Sequence, residues 1–242
     1  LFTDKANPQI AIASPVSGEV ARIERGDKRK ILAVVVLADA QQSYRSVPSG
    51  TPANREDAIQ WLLGAGAWSL IESRPYGRIA NPEAQPKAVF VNGMATEPLA
   101  VSPAVALAGR EEDFAKGLQV VGLLSPRTVL SIAANETSAA LTKASGVEIH
   151  QFNGPHPSGT TSVHINRVSP INKGETVWTL NYQDVVVIGH LARTGNLKLE
   201  RVVSLCGTGI AKPRAITATA GAQLETFLST ELKSGRSEER RV

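Results

Sequence analysis

GPHPSGTTSVHINRVSP (residues 154–170) and, after a short polar gap, VWTLNYQDVVVIGHL (residues 177–191) carry the reading of this chain. The first piece holds three prolines, two glycines and two of the chain's four histidines, and opens on what reads as a loop between strands. Pro155 and Pro157 each fix a backbone φ and remove an N–H donor. The loop Gly154–Gly159 is therefore expected to be extended and stiff, displaying His156. Val163-His164-Ile165 reads as strand beyond it. The second piece changes period within a few residues: Thr176–Asn181 is an apolar strand, and Tyr182–Arg193 an apolar helix that Gly195 stops. Asp184 falls in that helix's first turn, where the macrodipole favours a carboxylate.

Upstream the alternation repeats. Ala88–Val91 reads as a strand and Glu111–Leu123 as a helix with apolar Phe114, Leu118, Val121 and Leu124 beside it. Thr128–Ala133 is a strand, Thr137–Ala144 a short helix and Val147–Phe152 another strand. Strands alternating with helices predict an α/β fold on a parallel sheet. Before them, Asn54 caps a helix whose apolar face is Ile59, Leu62 and Leu63 and which ends at Gly64 and Gly66; Glu72–Lys87 reads as irregular. At the amino end, Gln9–Ala13, Glu19–Ile23 and Lys30–Leu37 are strands, the last β-branched and expected to be buried. That module is too small to close its own core. Leu199–Leu205 and Pro213–Thr219 form a hairpin, followed by a helical turn over Ala222–Leu228 and a charged tail. Three units result: 1–42, 43–198 and 199–242.

Composition narrows the class. A chain of 242 residues, 42% hydrophobic and 20% charged, reads as an ordinary globular one, and its longest apolar runs are far short of the ~20 residues that span a bilayer. The start lacks the basic and apolar regions of a signal peptide, and the missing initiator Met fits a fragment or trimmed chain. The single cysteine, Cys206, forms no internal disulfide and holds no iron–sulfur cluster, which fits a reducing compartment. Net charge is +4, with basic clusters at Arg22–Lys30 and Arg236–Arg241. These read as a solvated hairpin tip and terminus, or as contacts for an anionic surface. Nucleic acid is not expected, since no aromatics interleave with the cations.

Local motifs are weak. Gly64-Ala65-Gly66 follows a helix and reads as a C-cap, not a dinucleotide loop. Gly154–Gly159 has the outer frame of a phosphate loop but lacks its lysine, and its prolines delete amides that would cradle phosphate. It reads either as a stiff connection or as a surface for a ligand or a protein partner. The histidines show no metal spacing, and the carboxylates are scattered singly. Asn92-Gly93 leaves the carboxyl end of a strand, where open α/β sheets place ligands. Arg74-Pro75-Tyr76-Gly77-Arg78 is a cation-rich loop, either solvated or facing an anionic group or a neighbouring polypeptide.

Taken together, Leu1–Pro8, Ser14–Gly18, Arg25–Lys30, Ser73–Ile79, Val91–Ala100, Gly154–Gly159, Asn181–Val185 and Val203–Arg214 resemble, in order, the NqrA family, one of the component polypeptides of the sodium-translocating NADH:quinone reductase. The resemblance implies a partial barrel-sandwich hybrid module like a biotinyl carrier, then a Rossmann-like α/β domain, then the opening of a β-grasp (SLBB-like) module. No modified lysine is implied, because the hairpin turn reads Ser14-Pro15-Val16-Ser17-Gly18. Related flavoprotein subunits place a glycine-rich flavin loop where this chain has Gly66–Pro75, with bulky Trp68, Leu70 and Ile71. The implied role is a peripheral, cofactor-free subunit on the cytoplasmic face of the bacterial inner membrane. Ubiquinone is the implied ligand, and FMN, FAD, 2Fe-2S and NADH are implied on other subunits. The implied partners are those subunits, the integral membrane ones above all. Two alternatives are a purely structural docking subunit, in this or an Rnf-like complex, and a stand-alone flavin or nucleotide enzyme. No catalytic residue or metal ligand transfers. The candidate quinone or subunit contacts are Arg74, Pro75, Tyr76, Arg78, Asn92, Gly93, Gly154, Pro155, His156, Pro157 and His164.

Overall fold

A computed structural model describes residues 1–229 and 231–232. The basic cluster Arg236–Arg241 lies outside them. Short strands β1 (Phe2–Thr3) and β2 (Ala11–Ile12) pair with each other, and β3 (Gly18–Arg25) pairs antiparallel with β4 (Ile31–Ala38) as a separate ribbon. Helix α1 (Arg55–Ala65) follows, then β5 (Glu72–Arg74), β6 (Arg78–Ile79), β7 (Val89–Asn92), α2 (Pro103–Leu107) and α3 (Glu111–Gly122). The chain continues through β8 (Thr128–Ala133), α4 (Ala139–Thr142), β9 (Glu148–Phe152), α5 (Thr161–Val168), β10 (Val177–Asn181) and α6 (Tyr182–Thr194). It ends in the hairpin β11 (Glu200–Leu205) and β12 (Arg214–Thr219) and the helical turn α7 (Glu225–Leu228).

The central sheet runs β6-β5-β10-β7-β8-β9, its last four strands parallel and its first two antiparallel. The fold is thus mixed α/β on a mostly parallel sheet, as the alternation predicts. The stretch read as irregular supplies the two antiparallel strands β5 and β6. Each is only two or three residues long, too short to show a period in sequence.

Period 2 sends alternate side chains to opposite faces. Val89, Val91, Leu130, Ile132, Trp178 and Leu180 pack with α1, α3 and α6 in the main core. Phe90, Val129 and Val177 face the other way, under Ile165 of α5. Trp68 and Trp178 meet edge-to-face at 5.4 Å between ring centres, and Trp68 Nε1 donates to the Ala80 carbonyl at 2.7 Å. Such a pair contributes about 0.5–1.5 kcal/mol beyond its area. Helices α3 and α6 touch backbone to backbone. A Cβ on Gly117 would collide with the Val185 carbonyl, and one on Gly189 with that of Asp113.

Two expectations fail here. Val163-His164-Ile165 is not strand; it lies in α5, whose inward positions recur at helical spacing, with His164 and Ile165 buried. Strand β4 is not buried either: Ile31, Leu32 and Leu37 are exposed, Leu32 at 63%. An eight-residue apolar strand in a two-stranded ribbon has nothing to bury it unless another layer lies on top, and none does among the described residues. The ribbon's segment is anchored at its base, where Ala13 meets Gly66, the left-handed C-cap of α1 at φ +75°. A groove of about 600 Å³ opens there between residues 11–20, Tyr44-Arg45 and the end of α1.

Candidate contact surface at the sheet's carboxyl edge

The loop after β9 is a run of tight turns, not the extended segment expected from its prolines. Ser158 N donates to the Pro155 carbonyl and Thr160 N to that of Pro157, each at 2.9 Å, and His156–Pro157 is a cis peptide. Gly154, at φ +123°, opens the turn, and its carbonyl accepts from Ser158 Oγ at 2.7 Å. Left-handed backbone of this kind favours glycine.

Two contacts dock this loop onto the segment leaving β7. Asn92 Nδ2 donates to the Gly159 carbonyl at 2.9 Å and to Thr161 Oγ1 at 3.3 Å, while Asn92 Oδ1 accepts from Met94 N at 2.9 Å. Thr96 Oγ1 accepts from Gly159 N at 3.2 Å and lies 3.2 Å from His156 Nδ1. In the tautomer protonated on Nε2, the Thr96 hydroxyl donates to His156 Nδ1. That assignment leaves Nε2–H of the exposed ring as an outward donor. Gly93 is pinned by its N–H to the Ser131 carbonyl at 2.8 Å, where a Cβ would press on the same oxygen.

His164 plays a different part. It is fully buried, packs against the Phe152 ring at 4.3 Å between centres and a 40° tilt, and bonds through Nε2 to the Ser158 carbonyl at 3.0 Å; its Nδ1 has no partner among the described residues. Burial holds its pKa below the ordinary value, against the Ser158 bond. His164 thus holds the loop from beneath as a neutral imidazole.

Arg74, Pro75, Tyr76 and Arg78 sit elsewhere. Strand β5 runs antiparallel to β10, with Arg74 opposite Val177, so the Pro75–Gly77 tip points past the amino ends of the parallel strands. Tyr76 is 80% exposed there. Arg74 alone reaches toward the loop: its Nη2 donates to Ser162 Oγ in the first turn of α5 at 2.8 Å, and Nη1 to Glu72 at 3.2 Å. The structure therefore joins Asn92, Gly154, Pro155, His156 and Pro157 in one surface, with Gly93 buried beneath it, and leaves the Tyr76 tip at the opposite end. Thr96, which builds the joint, and Ser162, which meets Arg74, carry no signal in the sequence; Gly159 shows there only as the second glycine of the loop's frame.

Two family models match the chain. One describes the NqrA second alpha/beta domain and covers residues 53–197; the other describes the NqrA N-terminal barrel-sandwich hybrid domain and covers residues 1–39. The chain belongs to the NqrA family. Relatives named as the NqrA component of the Na(+)-translocating NADH-quinone reductase share 37% identity over 236 residues in Neisseria meningitidis serogroup A, 38% over 239 in Pseudomonas aeruginosa PAO1 and 34% over 241 in Haemophilus influenzae. These alignments cover 96%, 97% and 98% of this chain. They cover 53%, 53% and 54% of the relatives, so the chain spans about half their length. Within this NqrA-family fold no described helix is long and apolar enough to cross a membrane.

The region where related flavoproteins are expected to place a glycine-rich loop is occupied by core. Ala67, Trp68 and Ile71 are fully buried. Among the described residues no group of histidine, cysteine and carboxylate side chains is arranged to hold a metal.

Proposed function

We propose that this chain works as the NqrA component of a sodium-translocating NADH–quinone reductase. It is a peripheral, cofactor-free polypeptide at the cytoplasmic face of the bacterial inner membrane, docked on the integral membrane subunits of the complex. FMN, FAD, the 2Fe-2S cluster and the NADH site belong to other subunits. The observation that carries this reading is the family match across residues 53–197, joined to relatives bearing that name along nearly the whole chain. Residues 1–42, 43–198 and 199–242 correspond in this reading to a partial barrel-sandwich hybrid, a Rossmann-like domain and the opening of an SLBB-like β-grasp. Buried Trp68 and Ile71 support the cofactor-free assignment, because bulky core side chains stand in sequence where glycines would let backbone amides approach a flavin phosphate.

The loops carrying Asn92-Gly93 and Gly154–Pro157 are the surface assigned to ubiquinone. A quinone carbonyl is an acceptor, and the outward His156 Nε2–H is a donor on a stiff turn, held by Thr96. The exposed Tyr76 tip, flanked by Pro75 and Arg78, is assigned to docking on the other subunits. Substituting His156→Ala in the assembled complex tests the first assignment. A several-fold higher KM for ubiquinone, with NADH oxidation by an artificial acceptor unchanged, is expected. Identical kinetics would remove the quinone role and leave docking as the chain's task.

A further inference from the structure

A second polar cluster lies away from that surface, where α3, α6 and the start of β11 converge on a cleft of about 220 Å³. At its base Asp113 is only 8% exposed although it belongs to the inward stripe of α3 with Phe114, Gly117 and Val121. Both its oxygens are engaged. Oδ1 accepts from Arg193 Nε at 2.7 Å, and Oδ2 faces His190 Nδ1 at 3.3 Å. Burial alone would push this carboxyl up, but the Arg193 and His190 contacts outweigh it and hold it below its ordinary range. The carboxylate thus orients His190 with Nδ1 inward, and Nε2 has no protein partner among the described residues.

Around His190 the donors outnumber the acceptors. Lys198 Nζ contacts Glu200 Oε1 at 3.0 Å, while Arg110 Nη2 lies 3.8 Å from Glu200 Oε2 and donates to Thr217 Oγ1 at 3.3 Å. Arg110, Arg193 and Lys198 thus line the cleft together, against two lining carboxylates, Asp113 and Glu200. Glu112 acts on Arg193 from outside the cleft. The geometry is fixed because Gly189 brings the α6 backbone against the Asp113 carbonyl, so the imidazole and the carboxylate cannot drift apart. Val186 and Val187 line the cleft beside these groups.

We infer that this cleft is an anion site for a phosphate group, bound by Lys198 and Arg110 above the Asp113–Arg193 pair, with His190 lining the site. A tetrahedral oxyanion supplies several acceptors at once, which matches convergent point-charge and guanidinium donors. The site is independent of the quinone assignment and uses none of its residues.

Imidazole NMR of the whole protein, titrated with sodium phosphate against sodium chloride at matched ionic strength, tests it. The His190 signals should move saturably with phosphate and stay with chloride. The His150 and His156 signals should not follow. Arg110→Ala with Lys198→Ala should weaken the response at least tenfold while circular dichroism stays unchanged. Glycerol phosphate and phosphatidylglycerol vesicles separate the sources. Saturation by the soluble ester alone assigns a free phosphate ligand, and saturation by vesicles as well assigns a headgroup. A His190 response that is linear, equal in chloride or indifferent to the double substitution overturns the site.

Discussion

Strands β4 and β8 differ little in character: ILAVVVLA against TVLSIA. Yet Leu130 and Ile132 of β8 are sealed from solvent, while Leu32 and Leu37 of β4 stand open at 63% and 69%. The difference lies in what comes next along the chain. Strand β8 has parallel neighbours on both sides and helices on both faces, whereas β4 has one neighbour and no cover among the described residues. An apolar strand reports a capacity for burial; topology decides whether it is used.

The largest test of this contrast is a matched pair of truncations. Leu130→Ala should cost about 2–5 kcal/mol, as large-to-small changes in closed cores do. Leu37→Ala should fall within about 0.5 kcal/mol, as exposed positions do. Urea unfolding of both variants checks it, and a large loss for Leu37 would mean that the ribbon is covered after all. Next comes Gly189→Ala, which drives a methyl group into the α3–α6 contact and should cost about 1–3 kcal/mol. Its readout is thermal melting, and an unchanged midpoint would mean that the two helices separate freely.

A smaller effect comes from pH. Because burial lowers the pKa of His164 from 6.5, the folded state resists taking up a proton that the unfolded chain accepts. The contribution of His164 is complete above its ordinary value and is lost as pH falls through that value toward the folded one. His164→Gln should flatten this part of the stability curve, which denaturation between pH 7 and about 5 will reveal. The smallest effect is at the α6 cap, where Asn181 Oδ1 accepts from Gln183 N and Asp184 Oδ2 from Asn181 N, both at 2.9 Å. Asn181→Ala should cost about 1 kcal/mol, read from the same urea curves.

Much of the sheet domain is legible in sequence, and the reasons are local. Helix α6 declares itself through Asp184 in its first turn and Gly195, its left-handed stop at φ +74°; Asn181, read as the strand's last residue, proves to be its cap. Strand β8 is read to its last residue. Helix α5 is missed because its inward positions include Thr161 and His164 as well as Ile165 and Val168, so polar residues break the apolar stripe. Its β-branched residues and the upstream prolines then favour a strand on propensity. The Asp113 cluster had one visible sign, an aspartate in register with Gly117 and Val121 on an otherwise apolar face. Its partners, His190 and Arg193, come from a helix more than seventy residues away. No spacing rule joins them. The candidate surface is legible in its parts, as two loops, but not in the Thr96–Gly159 joint that makes them one.

Helix α5 gives that joint a longer reach. It is the lid over Phe90, Val129 and Val177, and its first turn is roped to β7 by Asn92 and to β5 by Arg74. The His156 turn is therefore tied through α5 to the roof of the sheet's second chamber. Amide exchange at Phe90 and Val129 is where a disturbance at the rim should register, and unchanged exchange there would mean the tie carries none.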